Sequence, residues 1–263
     1  MRLRHGLAGH HLLSLTALAE LADALPAASV ECLPAKLNVV SPGYNPPSLQ
    51  RPSDTVLNIE NNGRWMVMKN IEQVAAYKKL LNDVLDQVVP LLPRREGKIV
   101  LTEAFLFLSA PESVTPVHID PEHNILMQVT GSKQVNVGSL PNRESEQNEI
   151  TRYLAGGHRN LDTTPDGLKC HQLEAGDALY MPPWRPHWVK NGPHYSISIS
   201  ATFRTQRSQR YEYTHMVNIK LRKLGIRPRP AGESLWLDTI KASYVISKRW
   251  LKNTLYSLIG KRH

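Results

Sequence analysis

Between residues 99 and 203, short apolar runs alternate with turn signals at strand rather than helix intervals. The runs are Val100–Leu108, Asn124–Val129, Gln134–Val137, Cys170–Leu173, Ala178–Met181 and Tyr195–Phe203. The last, Tyr195-Ser-Ile-Ser-Ile-Ser-Ala-Thr-Phe203, alternates polar and apolar residues strictly and so predicts a half-buried strand. Gly131-Ser132 separates two runs at hairpin spacing. Six or more short strands joined by tight turns predict a β-sandwich or jelly roll. The stretch between Pro141 and Asp166 is polar and irregular, and is expected to be a long loop, either functional or mobile.

The flanks change period. Leu15, Leu18, Ala19, Ala22 and Leu25 recur at helical spacing, predicting an amphipathic helix. Asn70, with Gln73 three residues on, resembles a capping box. It would open a helix carrying Val74, Tyr77, Leu80, Leu81, Val84 and Val88 and ending at Pro90. Ser41–Asp54 is loop-like, and Trp65–Met68 reads as a short strand joining a sheet. Beyond Arg204 the pattern is helical again, over Tyr211–Leu224 and Ser234–Ile259, with Arg227-Pro-Arg-Pro230 between. The expected organisation is a helical and extended cover over 1–95, a β core over 96–205 and a basic helical region over 206–263.

Composition narrows the classes. A hydrophobic fraction of 41% and a charged fraction of 21% fit a folded protein and exclude wholesale disorder. Two cysteines, Cys32 and Cys170, supply neither a disulfide framework nor zinc-ligand spacing. Met1-Arg-Leu-Arg4 before Leu12–Ala19 has a signal-like look, but Glu20 and Asp23 interrupt it. No charge-free apolar run reaches membrane-spanning length, so a cytoplasmic protein with no membrane partner is expected. The net charge of +9 is concentrated at one end. Residues 204–263 hold 14 Lys/Arg against 3 Asp/Glu, and the rest of the chain 18 against 20. Such a tail can attract nucleic acid, though a solvated helix face is the more common use of it.

Two short motifs carry the chemistry. In Thr115-Pro-Val-His-Ile-Asp120, residues spaced i, i+2 on an extended chain project to one side. His118 and Asp120 can therefore offer an imidazole and a carboxylate to a single ion. The second motif runs from Gly176 through Pro182 and His187 to Asn191: a glycine turn, a strand, a proline turn and a histidine opening the next strand. Together, His118, Asp120 and His187 form a two-histidine, one-carboxylate set, which leaves open positions on a metal such as Fe(II).

The spacing Gly176-x5-Pro182-x4-His187-x3-Asn191 is similar to the second motif of the cupins, with Trp184 where a glycine often stands. Residues 115–133 resemble the JmjC and cupin-like oxygenases, and within them the factor-inhibiting-HIF type of asparaginyl hydroxylase. The resemblance rests on Thr115 three residues before His118, Asn124 four after Asp120, and Lys133 after Gly131. It implies a double-stranded β-helix core with flanking helices, with His118, Asp120 and His187 holding Fe(II). It also implies 2-oxoglutarate as cosubstrate, its distal carboxylate on Lys133 and further hydrogen bonds from Thr115 and Asn124. A dianion inside a barrel needs a cation, which Lys133 would supply from a strand paired with the one after the His-x-Asp turn.

The expected reaction is hydroxylation of a protein or peptide side chain, with succinate and CO2 as co-products. A small-molecule hydroxylase or an N-demethylase is the adjacent reading. A metal-binding cupin serving as a regulatory or nucleic-acid-binding module is the rival from another class. Trp184, Arg185 and Trp188 flank the last ligand, either lining the substrate mouth or, for the tryptophans, packing in the core. His123 is read as a packing residue that can approach the site; His158, His171 and His194 are read as surface or packing residues. Leu235, Trp236, Ile240, Tyr244, Ile246, Trp250, Leu251, Leu255 and Leu258 form a candidate homodimerisation surface.

Overall fold

The computed structural model describes residues 1–35 and 51–258. Most of the loop read over Ser41–Asp54, and Ile259, lie outside them. Eleven strands among the described residues form two antiparallel sheets. In chain order they are β1 (Arg2–Arg4), β2 (Val30–Pro34), β3 (Arg64–Lys69), β4 (Ile99–Ser109), β5 (Val114–His118) and β6 (His123–Thr130). There follow β7 (Lys133–Ser139), β8 (Asp166–Leu173), β9 (Asp177–Met181), β10 (His187–Asn191) and β11 (Ser196–Thr205). The large sheet runs β1-β9-β6-β11-β4-β3-β2 and the small one β5-β10-β7-β8. The strand pattern predicts a β-sandwich or jelly roll, and the observed core is the double-stranded β-helix that the resemblance implies. The N-terminal segment does more than cover the core, since β1, β2 and β3 are strands of the large sheet.

Helices α1 (Leu15–Ala24), α2 (Pro52–Leu57) and α3 (Ala75–Val88) belong to that segment. Leu18, Leu21, Tyr77, Leu80 and Leu81 join Leu106, Ile125, Met127, Ile197 and Ile199 in the main hydrophobic core. That core lies on the outer face of the large sheet. A smaller cluster of Leu126, Val135, Leu173, Leu179 and Met181 fills the space between the sheets. No helix among the described residues is long and apolar enough to cross a membrane.

Several expectations need correction. Asp54 lies inside α2, with Pro52 in its first turn, a place proline tolerates because that N–H has no helical partner. Asn70 adopts a left-handed φ of 54° and caps nothing with its side chain, which instead reaches Glu103 at 3.0 Å. A 3-10 turn follows it, and α3 begins only at Ala75. The stretch from Pro141 to Asp166 is not all loop: α4 (Arg143–Leu154) occupies its first half, capped by the Asn142 side chain accepting from Ser145 N at 2.8 Å. Its buried face includes Gln147 and Glu149 beside Ile150, so apolar periodicity does not reveal it.

Gly131-Ser132 does not close a hairpin within one sheet. β6 pairs with β9 and β11, while β7 pairs with β8 and β10, so the two residues turn the corner from one sheet to the other. Gly131 takes a φ of +71°, and a Cβ there would stand 2.4 Å from the Tyr195 carbonyl oxygen. β11 is not half-buried either: Ser196, Ser198 and Ser200 are at most 1% exposed. Its apolar residues face the helical layer and its serines face the barrel interior. At the C-terminus, α5 (Gln206–Lys223) opens on a Thr205/Ser208 capping box, and α6 (Leu235–Leu258) packs on it through Ala242 and Val245.

Candidate metal and cosubstrate site

β5 and β10 are neighbours in the small sheet, and their register sets His118 directly opposite His187. The two rings lie 4.1 Å apart between centroids. Asp120 follows the end of β5, and its backbone carbonyl accepts from Trp184 N at 2.7 Å. The Asp120 Oδ2 atom lies 3.6 Å from His118 Nε2 and 3.6 Å from His187 Nε2. His118, Asp120 and His187 thus bring one ligand atom each within 4.8 Å of one another, and this is the metal-type group among the described residues.

The rings are set for ligation. His118 Nδ1 is 2.8 Å from the Pro116 carbonyl, and His187 Nδ1 is 2.9 Å from that of Arg185. A carbonyl can only accept, so each Nδ1 carries a proton and each Nε2 is the ring nitrogen turned toward Asp120. Burial, with His118 beside it, pushes His187 down to about 4, leaving it neutral near pH 7. Burial alone would raise the Asp120 carboxyl. Arg159 outweighs that, with help from His118 and His187, and holds it well below the usual carboxylate range. A charged carboxylate with two imidazoles on one side is a donor set suited to a divalent transition metal.

Beside the triad lies a cavity of about 100 Å³, lined by His118 and Asp120 with Trp65, Phe105, Phe107, Thr115, Asn124 and Thr202 among others. Thr115 and Asn124 are therefore on the same cavity as the ligands. Lys133 is not among its lining residues. It lies next to it, 4% exposed, with Nζ 5.8 Å from the centroid of the cavity-lining Phe107. The route by which it gets there differs from expectation: β7 pairs with β8 and β10 rather than with β6, and Lys133 sits opposite Leu173 and Asn191. Val137 stands opposite His187 on the same strand, so Lys133 is about 13 Å along β7 from that ligand's level.

No carboxylate among the described residues pairs with Lys133, and burial pushes its ammonium down to about 7. On β6 and β11 of the large sheet are buried polar atoms without partners: Asn124 Oδ1, Gln128 Oε1, Ser198 Oγ and Ser200 Oγ. Buried polar groups are normally satisfied, so this interior is built to receive something polar.

Other residues separate from the site. Trp184 is 6% exposed, packs with Ile119 and Ile150, and meets Tyr153 edge-on at 5.6 Å. It belongs to the core, not the mouth. Its φ of 62° keeps the left-handed backbone for which the cupin pattern usually uses glycine. Arg185 hydrogen-bonds Ser139, and Trp188 is half-buried on β10. His123 faces away from the metal group, stacked on Phe203 at 4.8 Å and bonded to the Tyr180 hydroxyl at 2.8 Å. It lines a separate cavity of about 820 Å³ under α5, which holds none of the triad. His158 bonds the Asn160 carbonyl at 3.0 Å, His171 is half-buried, and the exposed His194 faces Glu60 at 3.3 Å. Arg204 is not a free tail charge but is bound to Glu122 at 2.9 Å and Glu212 at 2.7 Å.

Arg159 is the site residue that sequence reasoning missed. Its Nη2 lies 2.8 Å from Asp120 Oδ1. The signal was the helix before it: Asn142 as a cap, Glu144 and Glu146 in the first turn and Arg152 in the last mark α4 without any apolar stripe.

Comparison with known proteins agrees with this architecture. Residues 94–211 match the model of the JmjC domain. The chain is 33% identical over 103 residues to Jumonji C domain-containing protein 5 of Drosophila melanogaster, an alignment covering 35% of this chain and 26% of that protein. It is 31% identical over 96 residues to JmjC domain-containing protein D of Dictyostelium discoideum, covering 32% and 21%. The alignments thus span about a quarter of these curated relatives. The solved structure of ycfD from E. coli shares the fold, with a TM-score of 0.50 at 18% identity over 94% of this chain and 63% of that one. The two-sheet core has the double-stranded β-helix fold seen in JmjC and cupin proteins, and the JmjC-domain match takes in all three candidate metal ligands.

Proposed function

We propose that this protein is an Fe(II)- and 2-oxoglutarate-dependent oxygenase that hydroxylates a protein or peptide side chain. The observation that carries the reading is the pairing, in one barrel, of the His118–Asp120–His187 group with a buried, unpaired Lys133. The first fits a divalent metal with open positions; the second fits the far carboxylate of a short dianion. A bound Fe(II) would supply the oxidative chemistry, in which 2-oxoglutarate is decarboxylated to succinate and one oxygen atom enters the substrate. The protein's own part is orientation and exclusion of water. His118 and His187 present lone pairs held by backbone carbonyls, and Lys133 offers charge. Thr115, Asn124, Ser198 and Ser200 offer hydrogen bonds to a polar cosubstrate. The likeness of residues 115–133 to the factor-inhibiting-HIF type supports a hydroxylase over an N-demethylase.

The test is turnover of 2-oxoglutarate with Fe(II), alone and with peptides or lysate fractions, followed by mass spectrometry of the products. Succinate formation with a mass gain of one oxygen atom supports the proposal; loss of one methylene would identify the demethylase instead. Succinate formation that persists unchanged in Lys133→Ala would remove the cosubstrate assignment. Failure to take up Fe(II) or Mn(II), with no consequence of Asp120→Ala, would favour the regulatory or nucleic-acid-binding module. A homodimer through α6 is part of the same proposal, supported by Trp236 and Trp250 at 71% and 65% exposure. A monomeric mass by light scattering at micromolar concentration would remove it.

A further inference from the structure

The two oxygens of Asp120 face different partners. Oδ2 is turned to both histidine Nε2 atoms, while Oδ1, which accepts no hydrogen bond, is ion-paired with Arg159 at 2.8 Å. Arg159 comes from neither ligand-bearing motif. It lies on the segment that follows α4, and the structure shows how that segment is fixed. Arg152, in the last turn of α4, donates to the carbonyls of His158, at 2.8 Å, and Asn160. Arg152 is itself clamped by Glu149 Oε2 at 2.7 Å. The other oxygen of Glu149, a residue only 3% exposed, accepts from Asp162 N and Thr163 N at 3.2 and 2.8 Å. Beyond these, Leu161 N donates to the Val117 carbonyl at 3.1 Å, and Asn160 bridges to His118. The segment is thereby stitched along β5, the edge strand that carries the first ligand.

We infer that Arg159 is a positioning residue for the metal-binding carboxylate: it occupies Oδ1 so that Asp120 offers the metal one oxygen. The inference rests on the metal-site reading given above. An unrestrained carboxylate can close both oxygens on a cation and so consume a position that cosubstrate or O2 needs. A guanidinium ion-paired with the outer oxygen opposes this through its charge. The same guanidinium repels a nearby dication, so its main effect falls on how Asp120 binds rather than on how tightly the metal is held. The Arg152–Glu149 pair acts one step further out, by holding the backbone from which Arg159 projects.

The test uses the full chain loaded with Mn(II). Exchangeable inner-sphere waters are counted by pulsed electron paramagnetic resonance in isotopically labelled water. Arg159→Met is expected to bind Mn(II) with one water fewer than the unmodified protein and to lose roughly 10–100-fold in 2-oxoglutarate turnover. Arg159→Lys, which keeps the charge, is expected to recover the water and part of the turnover. A merely structural role would not move the water count. Should Arg159→Met fail to fold, Arg159→Gln carries the same expectation with a smaller change of shape. An unchanged water count in the neutral variant that folds, with turnover preserved, overturns the inference while leaving the metal site intact. Absence of Mn(II) uptake by the unmodified protein overturns the metal reading and this inference with it.

Discussion

The two faces of β11 are equally buried and chemically opposite. Toward the helices it presents Ile197, Ile199, Ala201 and Phe203, packed with residues of α1 and α3. Toward the barrel interior it presents Ser196, Ser198, Ser200 and Thr202, of which Ser198 and Ser200 lack hydrogen-bond partners. Burial of polar groups without partners costs stability, so the inner face cannot be explained by folding alone. The outer face holds the fold; the inner face, with Lys133 and the metal group, is kept for a ligand.

Changes on the two faces should therefore separate stability from activity. The largest effect is expected from Phe203→Ala on the outer face, which removes a fully buried ring stacked on His123. It should cost about 3–5 kcal/mol in denaturant unfolding, and a loss below about 1 kcal/mol would contradict the role given to that face. Lys133→Met on the inner face should do the reverse. It removes an unpaired buried cation, so the melting temperature should hold or rise. The KM for 2-oxoglutarate should increase roughly a hundredfold, the equivalent of about 3 kcal/mol for a lost buried ion pair.

A pH series refines the same contrast. Lys133 has its pKa lowered to about 7 by burial, from an ordinary 10.5. Between those values the unfolded chain binds more protons than the folded one. The burial penalty is therefore absent above about 10.5, grows as pH falls, and is full below about 7. A dianion needs the protonated lysine, so 2-oxoglutarate affinity should fall by up to about tenfold per pH unit above 7. The decline should vanish in Lys133→Met, and titration calorimetry at several pH values reads it directly. The smallest effects on stability belong to Ser198→Ala and Ser200→Ala. Each deletes an unpartnered hydroxyl and should change unfolding free energy by less than about 1 kcal/mol, while weakening 2-oxoglutarate binding. A large destabilisation would mean that the inner serines serve the fold after all.

This contrast also shows what the sequence could and could not display. The alternation in Tyr195–Phe203 predicts the strand correctly, because a period of two requires only that its faces differ. It cannot say that the polar face is interior, since serines facing water and serines facing a cavity look identical in a pattern. The metal group is legible because His118 and Asp120 are local and the Gly176–Asn191 spacing fixes the turn that delivers His187. Trp184 hides a glycine-like backbone behind a bulky side chain, and its burial is decided by α4, which no apolar stripe announces. Arg159 depends on that same helix and on the Arg152–Glu149 clamp. Its contact with Asp120 is long-range and leaves no spacing rule in the chain. The pairing of β7 with β8 and β10 was equally hidden, because Gly131-Ser132 suits a hairpin and a corner alike.

If the metal group and the buried Lys133 serve one 2-oxoglutarate site, binding of the dianion must depend on the metal. The most direct measurement is anaerobic titration of 2-oxoglutarate into the full chain, with and without Mn(II), in the unmodified protein and in Asp120→Ala. One equivalent is expected to bind to the Mn(II)-loaded protein, and binding to be greatly weakened when the metal is omitted or Asp120 is replaced. Binding indifferent to the metal, or none with Mn(II) bound, would contradict a single shared site.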